Sequence, residues 1–211
     1  MAYDDFAAEF QARFDATMAA REKALPAARR SIRASANAIR AIHRHDTGLA
    51  RDLMEKAAAA IREGMEAVRE HPDVAHAGFL QDAQKEYAEA RVTEAIVEGG
   101  EIPGPVEVGV QLAPYLNGMA EAVGEARRFI LDLLRKGEVE RSESVLTAMD
   151  DIYSLLVSMD YPDAITGNLR RSTDVARSIM EKTRGDLSIA LVQRDLRDAL
   201  DRHAKDVLGR D

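Results

Sequence analysis

The chain contains no cysteine and no tryptophan, and aromatic residues make up only 5% of its 211 residues. The absence of cysteine excludes disulfides, thiolate zinc sites and cysteine nucleophiles. The chain also has only six prolines and thirteen glycines, whereas alanine occurs 36 times. This composition disfavours a β-sandwich or barrel and favours an all-α fold.

Long hydrophobic runs are missing as well. No apolar run approaches the roughly 20 residues that a helix needs to span a bilayer. The first 20 residues carry four acidic side chains and no long apolar segment, which argues against a signal peptide. We therefore expect a cytoplasmic protein that has no membrane partner.

The net charge of −8 conceals one strongly basic segment. Between Arg21 and His45, seven basic residues are opposed by a single acidic residue, Glu22. A basic helix can bind phosphate groups even on an acidic protein, because the Debye length is only about 8 Å at physiological salt. Arginines at this density favour a polyanion site over an ordinary solvated helix face. The seven basic residues are Arg21, Lys23, Arg29, Arg30, Arg33, Arg40 and Arg44.

Proline and glycine divide the chain into helical blocks, and the pattern predicts a single-domain bundle of about seven helices over residues 1–211. The first helix is predicted from Asp4 or Asp5 to about His45, with a kink or break at Pro26. The stretch from Gly99 to Pro114 is predicted to be a loop within the domain. The other predicted helices run from about Leu49 to Glu70, Val74 to Val97, Pro114 to Lys136, Glu140 to Met159, Asp163 to Thr183 and, after a cap and restart at Gly185–Asp186, to about Val207.

The two predicted helices that flank the loop each carry a pair of glutamates on one face. Glu86 and Glu89 are three residues apart, and Glu121 and Glu125 are four apart. Small neighbours such as Gly118 would let the two helices approach closely. Four converging carboxylates without a nearby histidine suit a hard cation such as Mg²⁺ or Mn²⁺, and they do not suit a di-iron centre. The spacing alone also fits ordinary solvated glutamates on an acidic protein.

Three stretches of the chain resemble the translin family, and its Trax branch more closely than translin itself. The basic segment 21–44 ends in the same His–Arg pair as the first-helix region of Trax. Residues 86–90 follow the Glu-Tyr-x-Glu-Ala motif of Trax, which translin lacks. Residues 115–125 follow the family's Tyr-Leu-x-Gly block with its two acidic positions, although the Trax pattern has aspartate where this chain has Glu121.

The resemblance implies a translin-like fold and a Mg²⁺-dependent endoribonuclease, for which Mn²⁺ is a second candidate ion, that cuts single-stranded RNA. By motif, Glu86, Glu89 and Glu121 would be the catalytic carboxylates, and the same three with Glu125 would hold the metal. The seven basic residues would hold the phosphate backbone of single-stranded RNA, or of single-stranded DNA, without reading bases. The resemblance also implies a homo-oligomer of up to eight subunits.

Two alternatives stay open from the sequence. A non-catalytic scaffold for single-stranded RNA or DNA, which is mainly what translin is, would use the basic helix but has no need for converging glutamates. An unrelated acidic bundle would use the basic helix to dock another protein, and it would not bind oligonucleotides even at low salt. Both nucleic-acid interpretations predict an affinity that falls steeply with salt.

Overall fold

The computed structural model describes residues 2–209, and within this range the regular structure is entirely α-helical. Six helices are long: α1 (Ala2–His43), α2 (Thr47–Ala67), α4 (Gly78–Glu98), α6 (Leu112–Lys136), α7 (Val139–Val157) and α9 (Leu169–Leu208). Three are single turns: α3 (Pro72–Ala75), α5 (Pro105–Val108) and α8 (Asp163–Thr166). The prediction of an all-α bundle is confirmed, whereas the described part of the chain has nine helices and not about seven.

The helix α4 lies at the centre of the bundle. It packs against α1, α2 and α6, and α6 in turn packs against α7 and α9. Fully buried alanines line the inner faces of the first group, for example Ala24, Ala57 and Ala83, and they let those helices approach closely. Larger buried side chains such as Ile130 and Met149 fill the core around α6 and α7. Alanine-rich helices therefore surround the segment that carries Glu86 and Glu89.

The predicted kink or break at Pro26 does not end α1, which continues through this position as one helix of 42 residues. Proline removes the backbone hydrogen bond to the carbonyl four residues earlier. That carbonyl belongs to Glu22, and both residues are exposed, so water can replace the lost donor. Ala24 and Ala27 are buried on either side of the proline and keep the helix packed against the bundle.

The predicted single helix from Asp163 to Thr183 is wrong, because two residues interrupt it. Gly167 and Asn168 both adopt left-handed backbone conformations, with φ angles of 63° and 64°. Such a conformation ends a helix, so α8 remains a single turn and α9 begins only at Leu169.

The predicted cap and restart at Gly185–Asp186 is also wrong, because α9 continues through both residues. Arg127 on α6 donates a hydrogen bond to Thr183 Oγ1 at 3.1 Å and another to Asp186 Oδ2 at 2.7 Å. These contacts hold the helix on both sides of the glycine, and they outweigh its weak intrinsic preference for helix.

The two longest helices expose apolar side chains near the chain ends. Residues 3–16 of α1 and 195–206 of α9 are exposed on every side of the helix. The apolar side chains that are more than half exposed there and in the adjoining turns are Tyr3, Phe6, Phe10, Phe14 and Met18 in α1 and Ile189, Val192, Leu196 and Leu200 in α9. Among the described residues, no helix combines the length and the hydropathy that crossing a bilayer requires.

Candidate functional site

The helices α4 and α6 approach most closely at Gly118. A Cβ atom at this position would lie 2.6 Å from the carbonyl oxygen of Lys85 and 2.8 Å from the Cβ of Ala88. Only a hydrogen atom fits this space, so glycine is required for the observed distance between the two helices. The close approach brings the carboxylates of α4 next to Glu121, which lies three residues after the glycine on α6.

Three of the predicted carboxylates converge on one point. One carboxylate oxygen from each of Glu86, Glu89 and Glu121 lies within 4.8 Å of the other two. We call these three residues the carboxylate cluster. Glu86 and Glu89 are partly buried, whereas the side chain of Glu121 is 39% exposed. The structure therefore brings together the three residues that the sequence predicts to be catalytic.

Burial and mutual repulsion change the acidity of the cluster. Burial raises the pKa of Glu89 to about 8, and the neighbouring carboxylates, Glu121 above all, add to this shift. Burial also raises the pKa of Glu86, although the positive charge of Lys85 opposes the shift. The deepest carboxylate of the cluster thus holds its proton near neutral pH when nothing else compensates its charge.

A lysine that the sequence analysis did not single out lies beside the cluster. The ammonium of Lys85 donates a hydrogen bond to Glu121 Oε1 at 2.7 Å, and it lies 3.7 Å from Glu86 Oε1. Burial opposes its positive charge, but the hydrogen bond and the surrounding carboxylates outweigh burial and raise the pKa of Lys85. Lys85 therefore neutralises part of the cluster.

The fourth predicted ligand, Glu125, has a different partner. Its Oε2 lies 2.5 Å from Nε2 of His43, a side chain that is only 4% exposed. Because the carboxylate accepts this hydrogen bond, we assign the ring hydrogen of His43 to Nε2. The hydrogen bond from His43 lowers the pKa of Glu125, with a smaller contribution from Arg128 at 3.7 Å. A role for Glu125 as a metal ligand stays a prediction.

All seven predicted basic residues are exposed. Four of them, Arg29, Arg33, Arg40 and Arg44, fall within about 60° of one another around α1 at 100° per residue. We call these four residues the basic stripe. It faces away from the buried alanines of α1, so its guanidinium groups are presented to solvent.

The contact between His43 and Glu125 connects the basic stripe to the carboxylates. His43 lies between Arg40 and Arg44 in the sequence, so this end of the stripe is on the turn of α1 that contacts Glu125 on α6. From there the stripe extends back along α1 to Arg29, about 20 Å away at 1.5 Å per residue.

The other three basic residues have different positions. Arg30 forms an ion pair of 2.5 Å with Glu63 on α2. Arg21 and Lys23 lie about 30 Å from His43 along the helix, by the same rise per residue. Neither of these two residues forms an ion pair with a described residue of the carboxylate cluster.

A cleft of about 410 Å³ opens beside the cluster, between α6 and the first turns of α9. Glu89 and Glu121 line one wall, and Arg171, Ser172 and Val175 line the other. The sequence analysis missed Arg171, because no local pattern relates it to glutamates 50 or more residues earlier. Lys85 could have been found as the neighbour of Glu86 in the motif, and His43 as the ring next to the arginines.

The chemistry of the cluster fits a hard divalent cation. Mg²⁺ and Mn²⁺ prefer oxygen ligands, and Mg²⁺ is commonly held by a few carboxylates while it keeps several water molecules. The three carboxylates repel one another, and the pKa of Glu89 is about 8. An added positive charge would therefore stabilise their ionised forms. Glu86, Glu89 and Glu121 are therefore the residues that would hold such an ion.

The chain is similar to a protein known from its sequence and to several solved structures. No family model matches the chain. An uncharacterized protein of Methanocaldococcus jannaschii is 30% identical over 184 residues, which cover 86% of this chain and 81% of that protein.

Solved structures show the fold. The crystal structure of AfC3PO and the structure of its complex with duplex RNA are both 32% identical to this chain, with TM-scores of 0.82 and 0.83. Each match covers 89% of this chain and at least 97% of the other. Apo-NeC3PO shares the fold at a TM-score of 0.76 and 21% identity over 89% of this chain and 96% of its own. C3PO proteins are of the translin/Trax type.

Proposed function

The chain belongs to the translin family and has a translin/Trax-like fold, and from this premise we propose that it is a metal-dependent endoribonuclease acting on single-stranded RNA. The family membership excludes the interpretation as an unrelated acidic bundle. Two interpretations remain, a nuclease and a nucleic-acid-binding scaffold, and the carboxylate cluster is the feature that distinguishes them.

The observation that carries the proposal is the convergence of three partly buried carboxylates at the contact between α4 and α6. Like charges in a partly buried site oppose folding unless a cation compensates them. Lys85 supplies a single positive charge for three carboxylates, and the pKa of Glu89 remains near 8 despite it. A divalent ion would supply the missing charge, and Mg²⁺ bound there would polarise a phosphate oxygen and lower the pKa of a bound water.

The residues of the chain have separate tasks in the proposed reaction. Glu86, Glu89 and Glu121 would hold the ion, and an oxygen of the cluster that is not used for this would accept the proton of the water that attacks the phosphorus. One P–O ester bond would break in this step, and the leaving ribose oxygen would take a proton from solvent. The basic stripe binds the phosphates of the flanking nucleotides, and because arginine contacts to phosphate carry no sequence information, cleavage shows little base preference. His43 keeps the side chain of Glu125 in place.

The test is an RNA cleavage assay with the purified full chain. A 5′-labelled single-stranded RNA is incubated with Mg²⁺, with Mn²⁺ or with EDTA, beside a Glu86→Gln/Glu89→Gln variant. A matched control replaces the exposed Glu143 on α7 with Gln. We expect cleavage that needs both the metal ion and the two cluster glutamates, and that is unchanged in the control.

The same samples test the second candidate function, a non-catalytic scaffold for single-stranded RNA or DNA. One observation favours it: the basic stripe is exposed and does not depend on the carboxylates. The neighbouring AfC3PO structure contains duplex RNA, so the binding assay includes single-stranded and duplex forms of one sequence. If the chain binds the RNA with an affinity that falls with salt and cleaves it under none of the metal conditions, the chain is a scaffold and not a nuclease.

We also propose that the chain forms a homo-oligomer of up to eight subunits. The exposed apolar side chains of α1 and α9 support this, because they recur every three or four residues along each helix, and an exposed apolar stripe is typical of an interface. Light scattering after size-exclusion chromatography gives the number of subunits directly. A monomer at micromolar concentration would contradict the proposal, and replacing Phe10 and Phe14 with Ser should lower the observed mass if α1 contributes.

A further inference from the structure

Arg171 lies in the wall of the cleft that faces the carboxylate cluster. Its guanidinium has no ion pair or hydrogen bond with any described residue, although Glu89 and Glu121 line the same cavity. The neighbouring Arg170 differs, because it lies 3.6 Å from a carboxylate oxygen of Asp160. Arg171 is therefore a cation in the cleft that no protein group neutralises.

The position of Arg171 is fixed by a buried amide. Asn117, which is 7% exposed, donates hydrogen bonds to the carbonyl oxygens of Ala113 at 2.9 Å and Thr166 at 2.8 Å. Its own carbonyl oxygen accepts a hydrogen bond from Ser172 Oγ at 2.8 Å. Asn117 thus ties the first turn of α9 to α6 one residue before Gly118. The same short segment of α6 sets the distance to α4 and the distance to α9.

The charges of the cleft show what Arg171 can bind. A phosphodiester that enters the cleft meets the negative carboxylates on one wall, so it needs a positive group on the other. None of the residues that line this cavity belongs to α1, so the basic stripe does not supply that group. Arginine is suited to the task because its planar guanidinium donates two parallel hydrogen bonds to a phosphate.

We propose that Arg171 binds the phosphate of the RNA that lies in the cleft, opposite the carboxylate cluster. This inference rests on the proposed function. The basic stripe holds the flanking backbone outside, and Arg171 positions the phosphate at the reacting centre. The substrate is therefore held by residues of two helices, α1 and α9. Residues on α9 therefore take part in binding the RNA, together with residues of the motifs at 86–90 and 115–125.

The test measures RNA binding without cleavage. Each variant is made in a Glu89→Gln background, and the affinity for a fluorescein-labelled oligouridine is measured by anisotropy over a range of salt concentrations. Arg171→Gln removes a charged hydrogen-bonding group, so this variant should bind the RNA about tenfold to a hundredfold more weakly. The slope of log affinity against log salt should fall by about 0.7, as for one phosphate contact on a single strand.

Two further variants make the result specific. Arg171→Lys should keep most of the salt slope and recover part of the affinity, because the charge remains and the bidentate geometry is lost. Arg170→Gln removes the adjacent arginine and should change neither quantity. Equal effects of Arg171→Gln and Arg170→Gln would overturn the assignment of Arg171 and leave the proposed function intact. An unsubstituted chain that neither binds nor cleaves the RNA would overturn both.

Discussion

Replacing Glu89 with Gln should stabilise the protein in the absence of divalent metal, although it removes a residue of the carboxylate cluster. Burial and the adjacent carboxylates raise the pKa of Glu89 to about 8, from a value of 4.5 for a free side chain. Below about pH 4.5 the group carries its proton in both the folded and the unfolded state, so it does not lower the free energy of unfolding. Between pH 4.5 and 8 the unfolded chain loses the proton while the folded chain keeps it, so stability falls with rising pH.

The magnitude follows from the same shift. Each pH unit in this window costs about 1.36 kcal/mol, so at pH 7 the carboxyl lowers the free energy of unfolding by at most about 3 kcal/mol. Glutamine still carries a buried amide that retains part of the desolvation cost, and we expect a gain of about 2–3 kcal/mol. For a chain of this length that gain corresponds to a rise in Tm of roughly 4–12 °C.

The assay is thermal unfolding in EDTA, followed by circular dichroism at about pH 5 and about pH 8. The difference in Tm between Glu89→Gln and the unsubstituted chain should be larger at the higher pH, and Glu143→Gln should show no such change. In Mn²⁺ the order should reverse, because the ion stabilises the intact cluster more than the variant. A variant that is less stable than the parent at pH 8 in EDTA would refute the reasoning that Glu89 is strained in the folded state.

Three other substitutions test the contacts around the cluster. Gly118→Ala should lower the free energy of unfolding, measured in urea, by about 1–3 kcal/mol, because the added methyl group collides with the α4 backbone; an unchanged value would mean that the helices separate freely. Lys85→Met should strengthen Mn²⁺ binding, measured by electron paramagnetic resonance, about fivefold, because the ion no longer competes with the ammonium for Glu121. Equal affinity would show that this ion pair does not form in solution. His43→Phe should cost about 1–3 kcal/mol in urea, since it leaves the partly buried Glu125 without its donor, and a neutral effect would remove His43 as its anchor.

The local part of the site could be predicted from the sequence. The spacing of Glu86 and Glu89 puts them on one face of a helix wherever that helix packs, and this depends only on helical periodicity. Gly118 among small residues indicates a close helix contact, and the structure confirms it at that glycine. Gly124 is different, since its position is open apart from a side-chain contact at 3.9 Å from Ile179. Composition does not tell which small residue lies in the interface.

The long-range part could not be predicted in this way. Glu125 accepts a hydrogen bond from His43, 82 residues earlier in the chain, whereas Glu121 accepts one from Lys85 on α4. Arg171 lies in the cleft on a turn of α9 that is tied to α6 by the hydrogen bond from Ser172 to Asn117, 55 residues earlier. Neither contact leaves a local signal, because both depend on how the helices are arranged in the bundle.

The aromatic stripe of α1 shows a different limit. Phe6, Phe10 and Phe14 recur every four residues, as they would on a helix that faces a core. In the structure they are more than half exposed, because among the described elements the single turn α3 approaches this part of α1 and is too short to cover it. Periodicity indicates that a face is apolar, and it does not indicate whether the partner belongs to the same chain.

The loss of folding stability that Glu89 causes favours the interpretation as a nuclease over that as a scaffold. A protein that only binds nucleic acid needs the basic stripe, which is exposed and makes no demand on the core. It would gain stability by replacing Glu89 with an uncharged residue, and it would have no need for the narrow helix contact at Gly118. Binding and cleavage should therefore be separable: changes in Arg33 and Arg40 should weaken RNA binding and leave Tm unchanged, whereas Glu89→Gln should abolish cleavage while Tm in EDTA rises. Two results would contradict this separation of the binding residues from the cleaving residues. One is a lower Tm in variants of the basic stripe, and the other is a loss of RNA affinity in variants of the carboxylate cluster that is as large as in variants of the stripe.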